Sequence, residues 1–409
     1  MIWAIINVLL YFGFLLFYWG KKHTVDNGFL LIALWGFVAL NGFFMYIDNP
    51  NLWHLRLWPF IYIFIIFLVF MRYFFKEKDV SSTLSSFAFQ KSKTIDVMCY
   101  FYIFCAIYNI YTSGFDLTQL SLETVESSSQ EAYDYQHSEG AWNFHGGSLD
   151  YIILNYEYYF AIAALICGFN CLCQGRKLVA ITLIILPFLS DFLEGIRMGS
   201  RSTIASDILM YLGAFILYKK LFSKTTKRVF VIISSVAGLI ILAFIIAMTT
   251  GRFGTDEVSA GIWDYFGQSM LRFNYGISDS LNGTFYGSQT FGYFYKYLGI
   301  SVPTSLYADT LGCHVSSGFI TLFGFLCLDF GYIGTLIVAL ILPWIINKMA
   351  FTNDRFTLPG LYIYLFFLRR MLRGSMVFYG MNAGLMYLST FLFYFVLVLI
   401  TKYSKLKKM

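Results

Sequence analysis

Apolar runs recur from residue 2 to residue 401, and no polar stretch between them is long enough to fold separately. A bilayer core of about 30 Å takes about 20 apolar residues per helix. By that measure the pattern predicts one all-α, polytopic membrane helix bundle over residues 1–409. It has about eleven transmembrane helices, at approximately 2–20, 28–47, 57–75, 95–113, 151–173, 178–195, 203–218, 229–248, 331–350, 358–372 and 381–401. The first run, IWAIINVLLYFGFLLFYWG, has no basic region before it and no small-residue cleavage site after it, so it reads as a retained helix rather than a signal peptide. The run from Ser316 to Ile346 is too long for one untilted span and carries Asp329 between Gly324 and Gly331. It predicts a half-helix or interfacial helix over 316–329 ahead of the ninth span. Irregular backbone at that depth survives only where protein or a wet cavity satisfies it.

The linkers between runs alternate in character. Lys21 with Lys22, the Lys76–Lys93 linker, Arg176 with Lys177, KKLFSKTTKR from Lys219, Lys348 with Arg355, and the tail KYSKLKKM are basic. By the positive-inside rule these face the cytoplasm, which puts the N-terminus outside and the C-terminus inside. Two long loops then fall on the outer side, approximately 114–150 and 249–316. The first, containing LETVESSSQEAYDYQHSEG, is acidic and Ser-rich and suits a lid. The second is dense in Gly, Tyr and Phe, a composition of tight turns and aromatic platforms, and predicts short helices in the outer interface.

Composition agrees with lipid as the solvent: 58% hydrophobic and 13% charged residues, with a mean hydropathy of +0.66, against about 25% charged in soluble domains. The net charge of +6 sits in short clusters between apolar runs, so it points to anionic lipid and not to nucleic acid. Seven cysteines, mostly in or beside apolar runs, give no disulfide framework and no zinc spacing.

Charge type changes the picture more than charge number. The cations assigned to the outer side are Arg56, Arg197, Arg201, Arg252, Arg272, Arg369, Arg370 and Arg373, with Lys296 the single lysine, while lysine dominates inside. The positive-inside rule disfavours both residue types outside, so it does not explain arginines alone. Guanidinium offers planar, bidentate donors that match phosphate, which points to an anionic head group as ligand. Snorkelling to outer-leaflet phosphates, or pairing with Asp191, Glu194 and their neighbours, is the other reading. His314 sits in GCHVSSG just before the expected half-helix; His54, His137 and His145 are also outside, and His23 inside. Asp329 and Glu157 lie near or within spans, where an ionisable residue is a functional candidate or a helix–helix hydrogen-bonding group. There is no Walker A, HExxH or GxSxG sequence and no Asp-x-Asp pair, and nothing calls for a metal or another cofactor. An outer-face membrane enzyme has no access to ATP or nucleotide sugars, so its chemistry must run on an activated lipid; a lipid diphosphate fits.

The GSRST segment at Gly199–Thr203, the FITLFGFLCLDFGYIG segment at Phe319–Gly334 and the two separated outer loops together resemble the Wzy-type O-antigen and oligosaccharide repeat unit polymerases of Gram-negative bacteria. The resemblance implies a multi-pass protein of the bacterial inner membrane with its outer loops in the periplasm. It implies transfer of a growing glycan from undecaprenyl diphosphate to the non-reducing sugar of a new undecaprenyl-diphosphate-linked repeat unit. The lipid-linked donor and acceptor, membrane lipid and a chain-length regulator protein are the partners this implies. Diphosphate binding then falls to Arg197 and Arg201, with Arg252 and Arg272 beside them and Arg369, Arg370 and Arg373 as the third cluster. The acceptor proton goes to His314, or failing that to Asp191 or Glu194. Eleven spans depart from the even number assigned to many relatives. An O-antigen ligase uses the same kind of donor and stays open; a lipid-linked oligosaccharide flippase predicts internal pseudo-symmetry, which is not seen; a membrane acyltransferase predicts a buried cytoplasmic histidine, and His23 is the sole inner one.

Overall fold

A computed structural model describes residues 1–75, 84, 93–112, 125, 148–197, 201–253, 258–277, 284–288, 290–300, 320–352, 355–376 and 383–406. Thirteen helices form among them: α1 (Ile2–Lys22), α2 (Asn27–Asp48), α3 (Leu57–Phe75), α4 (Lys93–Thr112), α5 (Ser148–Cys173), α6 (Lys177–Arg197), α7 (Arg201–Tyr218), α8 (Lys224–Phe253), α9 (Val258–Arg272), α10 (Gly292–Tyr297), α11 (Leu322–Ala350), α12 (Leu358–Arg373) and α13 (Ala383–Leu406). Among the described residues the strands are a single two-residue antiparallel pair, β1 (Phe351–Thr352) with β2 (Arg355–Phe356). Each of the eleven apolar runs falls on a helix. Among the described residues, five helices (α1, α2, α3, α8 and α11) are long and apolar enough to cross a membrane, where the sequence pattern predicts eleven. Four more contain shorter apolar helical stretches, at Asp96–Tyr108, Ala161–Cys173, Ile204–Tyr218 and Thr390–Thr401. Most of the segment expected to form the first outer loop, 114–150, lies outside the described residues.

Helix ends follow local chemistry. Asp26 caps α2 by accepting the Phe29 amide at 2.8 Å, which satisfies one of the orphan donors of a helix start. The same carboxylate accepts the Tyr18 hydroxyl and lies 3.3 Å from the Lys22 ammonium. His23 closes α1 in the left-handed conformation, φ 50°, with its amide on the Trp19 carbonyl.

The chain divides into two compact units. The first comprises Met1–Lys78, Ala260–Met349 and Arg370–Leu392; the second comprises Asp79–Ser259, Ala350–Arg369 and Phe393–Met409. In the first, Tyr11, Phe67, Trp35 and Phe323 form an aromatic centre with ring separations of 5.0–5.4 Å between successive partners. Lipid tails are as apolar as these side chains, so helices associate in a membrane by close packing and hydrogen bonds, not by a hydrophobic driving force. Small residues at the crossings make that possible. A Cβ on Gly267 of α9 would lie 2.5 Å from the Gly42 nitrogen of α2, so neither helix could approach as it does with a larger residue there.

The half-helix expected ahead of the ninth span is present, with a different boundary: α11 begins at Leu322 and breaks at Gly331, φ 71° and ψ 179°. Only glycine takes that backbone without strain. The break frees helix carbonyls, and the segment 284–290 meets them. The Phe285 amide donates to the Leu328 carbonyl at 3.0 Å and the Gly287 amide to the Asp329 carbonyl at 2.9 Å. Asp329, fully buried, accepts the Thr290 amide on Oδ2 at 2.9 Å. Protein thus satisfies the irregular backbone, which is what a break at membrane depth would require, and Asp329 holds the Thr290 amide.

In the second unit, Gly168 brings α5 against α6, where an added Cβ would sit 2.8 Å from Ile184. Phe169, Tyr218 and Phe222 pack edge to face below it, and Phe215 stacks on Phe230 at 4.4 Å. A second apolar cluster joins Phe192 and Leu193 of α6 to Ile204 of α7 and Ile241, Phe244 and Met248 of α8.

Candidate functional site

The charged residues singled out from the sequence divide between the two units. In the first unit, α9 ends at Arg272 and passes directly into a π-helical turn, Phe273–Ile277. Such turns recur at functional sites because they re-aim the side chains that follow. Asn274, buried in that turn, grips the backbone of Arg56 from both sides: its Nδ2 donates to the Arg56 carbonyl at 2.7 Å, and the Arg56 amide donates to its Oδ1 at 2.8 Å. One turn before Arg272, the buried Ser269 hydroxyl donates to the Ser375 carbonyl at 2.9 Å, two residues past Arg373. The end of α12 is held further by the Leu322 amide on the Gly374 carbonyl at 2.7 Å and the Trp35 indole on the Met371 carbonyl at 3.4 Å.

Two chain segments far apart in sequence, one bearing Arg56 and the other following Arg370 and Arg373, are therefore tied to the C-terminal end of α9, which itself bears Arg272. Arg370 and Arg373, three residues apart, share a face of α12. Arg370 is buried, Arg272 and Arg373 are half-buried and Arg56 is exposed. The aromatic rings around this point are close. Tyr275 meets Trp53 at 6.2 Å and His54 at 5.8 Å, and Tyr62 lies parallel to Phe273 at 6.3 Å. Tyr62 also donates its hydroxyl to the Tyr332 carbonyl at 2.8 Å, just past the break in α11.

In the second unit Arg369 forms an ion pair with Asp207 of α7, both buried. Successive helical residues point about 100° apart, since a turn takes 3.6 residues. Arg369 and Arg370, adjacent in sequence, therefore point in different directions from α12, and the boundary between the two units falls between them. Desolvating two charges is expensive, and losing either partner leaves the other buried without compensation. Arg369 thus carries a charge already matched by a carboxylate.

The remaining residues proposed from the sequence are placed less completely. Asp191 is half-buried in α6. Glu194 and Arg197 lie on the last turns of α6, Arg201 opens α7 and Arg252 lies at the end of α8, all in the second unit; their side chains are outside the described residues. His314 lies outside the described residues altogether. Among the described residues no group of three His, Cys, Asp or Glu side chains could hold a metal ion, and the described cysteines are free thiols.

Reading from the sequence passed over Asn274, Ser269 and Asp207. Asp207 had a usable signal, as a lone carboxylate in the apolar stretch IASDILMYLG. Asn274 and Ser269 had none, because their role lies in which distant backbone they meet.

The chain matches no protein-family model, no curated protein and no solved structure.

Proposed function

We propose that this protein is an O-antigen polymerase: a membrane glycosyltransferase that moves a growing glycan from undecaprenyl diphosphate onto an undecaprenyl-diphosphate-linked repeat unit. The observation that carries the reading is that Asn274 and Ser269 tie the Arg56 backbone and the turn just after Arg373 to the end of α9 that bears Arg272. All of these arginines lie on segments that the charge pattern assigns to the outer side. An acceptor hydroxyl attacks the anomeric carbon, the carbon–oxygen bond to phosphate breaks, and the diphosphate leaves with the electron pair. Guanidinium groups set where that charge develops stabilise the departing group. The free energy resides in the lipid diphosphate, so neither nucleotide nor metal is needed.

Deleting the gene and resolving lipopolysaccharide by gel electrophoresis tests this. Single-repeat caps on the core support the polymerase; naked core indicates a ligase or flippase, and a normal ladder rejects all three. Within the polymerase reading, Arg272→Ala costs about 10- to 100-fold in activity, since a hydrogen bond to a charged group contributes about 1.5 to 3 kcal/mol. Arg272→Lys stays strongly impaired if the grip on diphosphate is bidentate, and regains full activity if a point charge toward bulk lipid suffices.

A further inference from the structure

The short connection between α2 and α3 carries chemistry that joining two helices does not require. After the 3-10 turn Pro50–Leu52 it places Trp53, His54 and Arg56 within four residues, and Asn274 fixes it by holding the Arg56 backbone at both its amide and its carbonyl. His54 is exposed, its ring 5.8 Å from that of Tyr275, three residues beyond Arg272. Trp53 packs edge-on to the same Tyr275 ring, and its indole N–H is buried with no acceptor. Buried donors are nearly always paired, so an orphan at the rim of an aromatic cluster calls for a missing acceptor. A tryptophan of the ordinary interfacial belt keeps its indole N–H at the wet head-group level instead.

Ring faces, an unmet N–H donor and a solvent-open imidazole, rigidly held beside arginines, are the groups that receive a sugar. Its C–H face lies on an aromatic ring, its hydroxyls accept from N–H, and a hydroxyl about to react needs a base within reach. We propose that Trp53, His54 and Tyr275 form the subsite for the acceptor sugar and that His54 takes the proton of its attacking hydroxyl, an inference that rests on the glycosyl-transfer reading above. The hydroxyl oxygen bonds to the anomeric carbon of the donor, the bond from that carbon to the phosphate oxygen breaks, and the electron pair departs with the diphosphate. The hydroxyl proton passes to the imidazole. The role expected of His314 from the sequence then falls to His54.

The test uses membranes from a deletion strain carrying wild-type protein, His54→Gln or Trp53→Phe, supplied with lipid-linked repeat units extracted from that strain. His54→Gln lowers polymerisation by about 10²-fold, the usual contribution of a positioned base, with unchanged membrane abundance. Trp53→Phe keeps an aromatic ring, removes the donor, and costs about tenfold, chiefly as a raised KM for the acceptor. His54→Gln at the wild-type rate overturns the assignment of the base. If His54→Gln does not accumulate, Trp53→Phe decides, and a wild-type KM in that variant rejects the subsite. A deletion strain with a normal lipopolysaccharide ladder rejects the glycosyl-transfer reading itself; single-repeat caps together with unaffected variants reject only the subsite.

Discussion

Helix α8 leaves Val229, Ile233, Leu239 and Ile246 exposed, whereas α12 buries Leu361, Tyr362, Leu365 and Leu368 almost completely. At 30 residues α8 is about 45 Å long, more than the hydrocarbon thickness, and nothing charged interrupts its middle. At 16 residues α12 reaches about 24 Å and ends in Arg369, Arg370 and Arg373. Lipid can solvate most of the first, the exception being the face of Ile241, Phe244 and Met248 that packs on α6 and α7. It cannot solvate the second, so α12 must find its partners in protein: Asp207 for Arg369, and for the turn around Gly374 the Leu322 amide and the Ser269 hydroxyl. One helix is specified by length and composition, the other by what it meets.

The largest expected effect breaks the protein-solvated helix at its ion pair. Asp207→Asn leaves Arg369 buried without its counter-charge and costs about 3 to 5 kcal/mol. The expected result is a steep loss of membrane-inserted protein, or of thermal stability in detergent. Replacing both partners, as Asp207→Leu with Arg369→Met, recovers most of it, because a well-packed apolar pair has no charge to desolvate. If Asp207→Asn melts like wild type, α12 does not depend on this pair and the contrast with α8 collapses.

A smaller loss is expected at the α2–α9 crossing. Gly267→Val forces a side chain into space 2.5 Å from the Gly42 nitrogen and costs about 1 to 3 kcal/mol as overpacking. Thermal unfolding of the purified protein measures it; a neutral result means that the two helices cross further apart.

Asn274→Ala removes both hydrogen bonds to the Arg56 backbone, worth about 1 to 2 kcal/mol together. The sharper consequence is functional. The connection carrying Trp53, His54 and Arg56 loses its fixed position, so activity falls further than stability does. Equal small losses in both would make Asn274 only a stabilising residue. At the other extreme, Leu239→Ala on the exposed face of α8 changes stability by less than about 0.5 kcal/mol. A larger change there would mean that α8 faces a protein partner instead of lipid.

Particular elements show how far the sequence could be read. The run 229–248 announces α8. Gly331 beside Asp329 marks the broken helix, though the break falls two residues past the expected boundary and the half-helix starts at Leu322 instead of 316. The arginine excess on the outer side is visible as a composition, but its division is not. Arg369 and Arg370 look equivalent in LFFLRRMLRG, yet one is matched to Asp207 and the other belongs to the unit that holds Arg56 and Arg272. Arg56 drew attention only as an outer cation, and the segment around it gains meaning from Asn274, 218 residues away.

The sequence by itself determined the helical class and the position of each apolar helix, but not which of them are long enough to cross a bilayer: it predicts eleven, and five are among the described residues. Class and position depend on local quantities: the number of consecutive apolar residues and a glycine that tolerates positive φ. Tertiary structure alone decided which arginine meets a carboxylate, which backbone Asn274 holds and what satisfies the carbonyls freed at Gly331. Those outcomes depend on the direction a side chain points from its helix and on which distant segment arrives there. Consecutive residues on a helix diverge by about 100°, so neighbours in the chain need not be neighbours in the site.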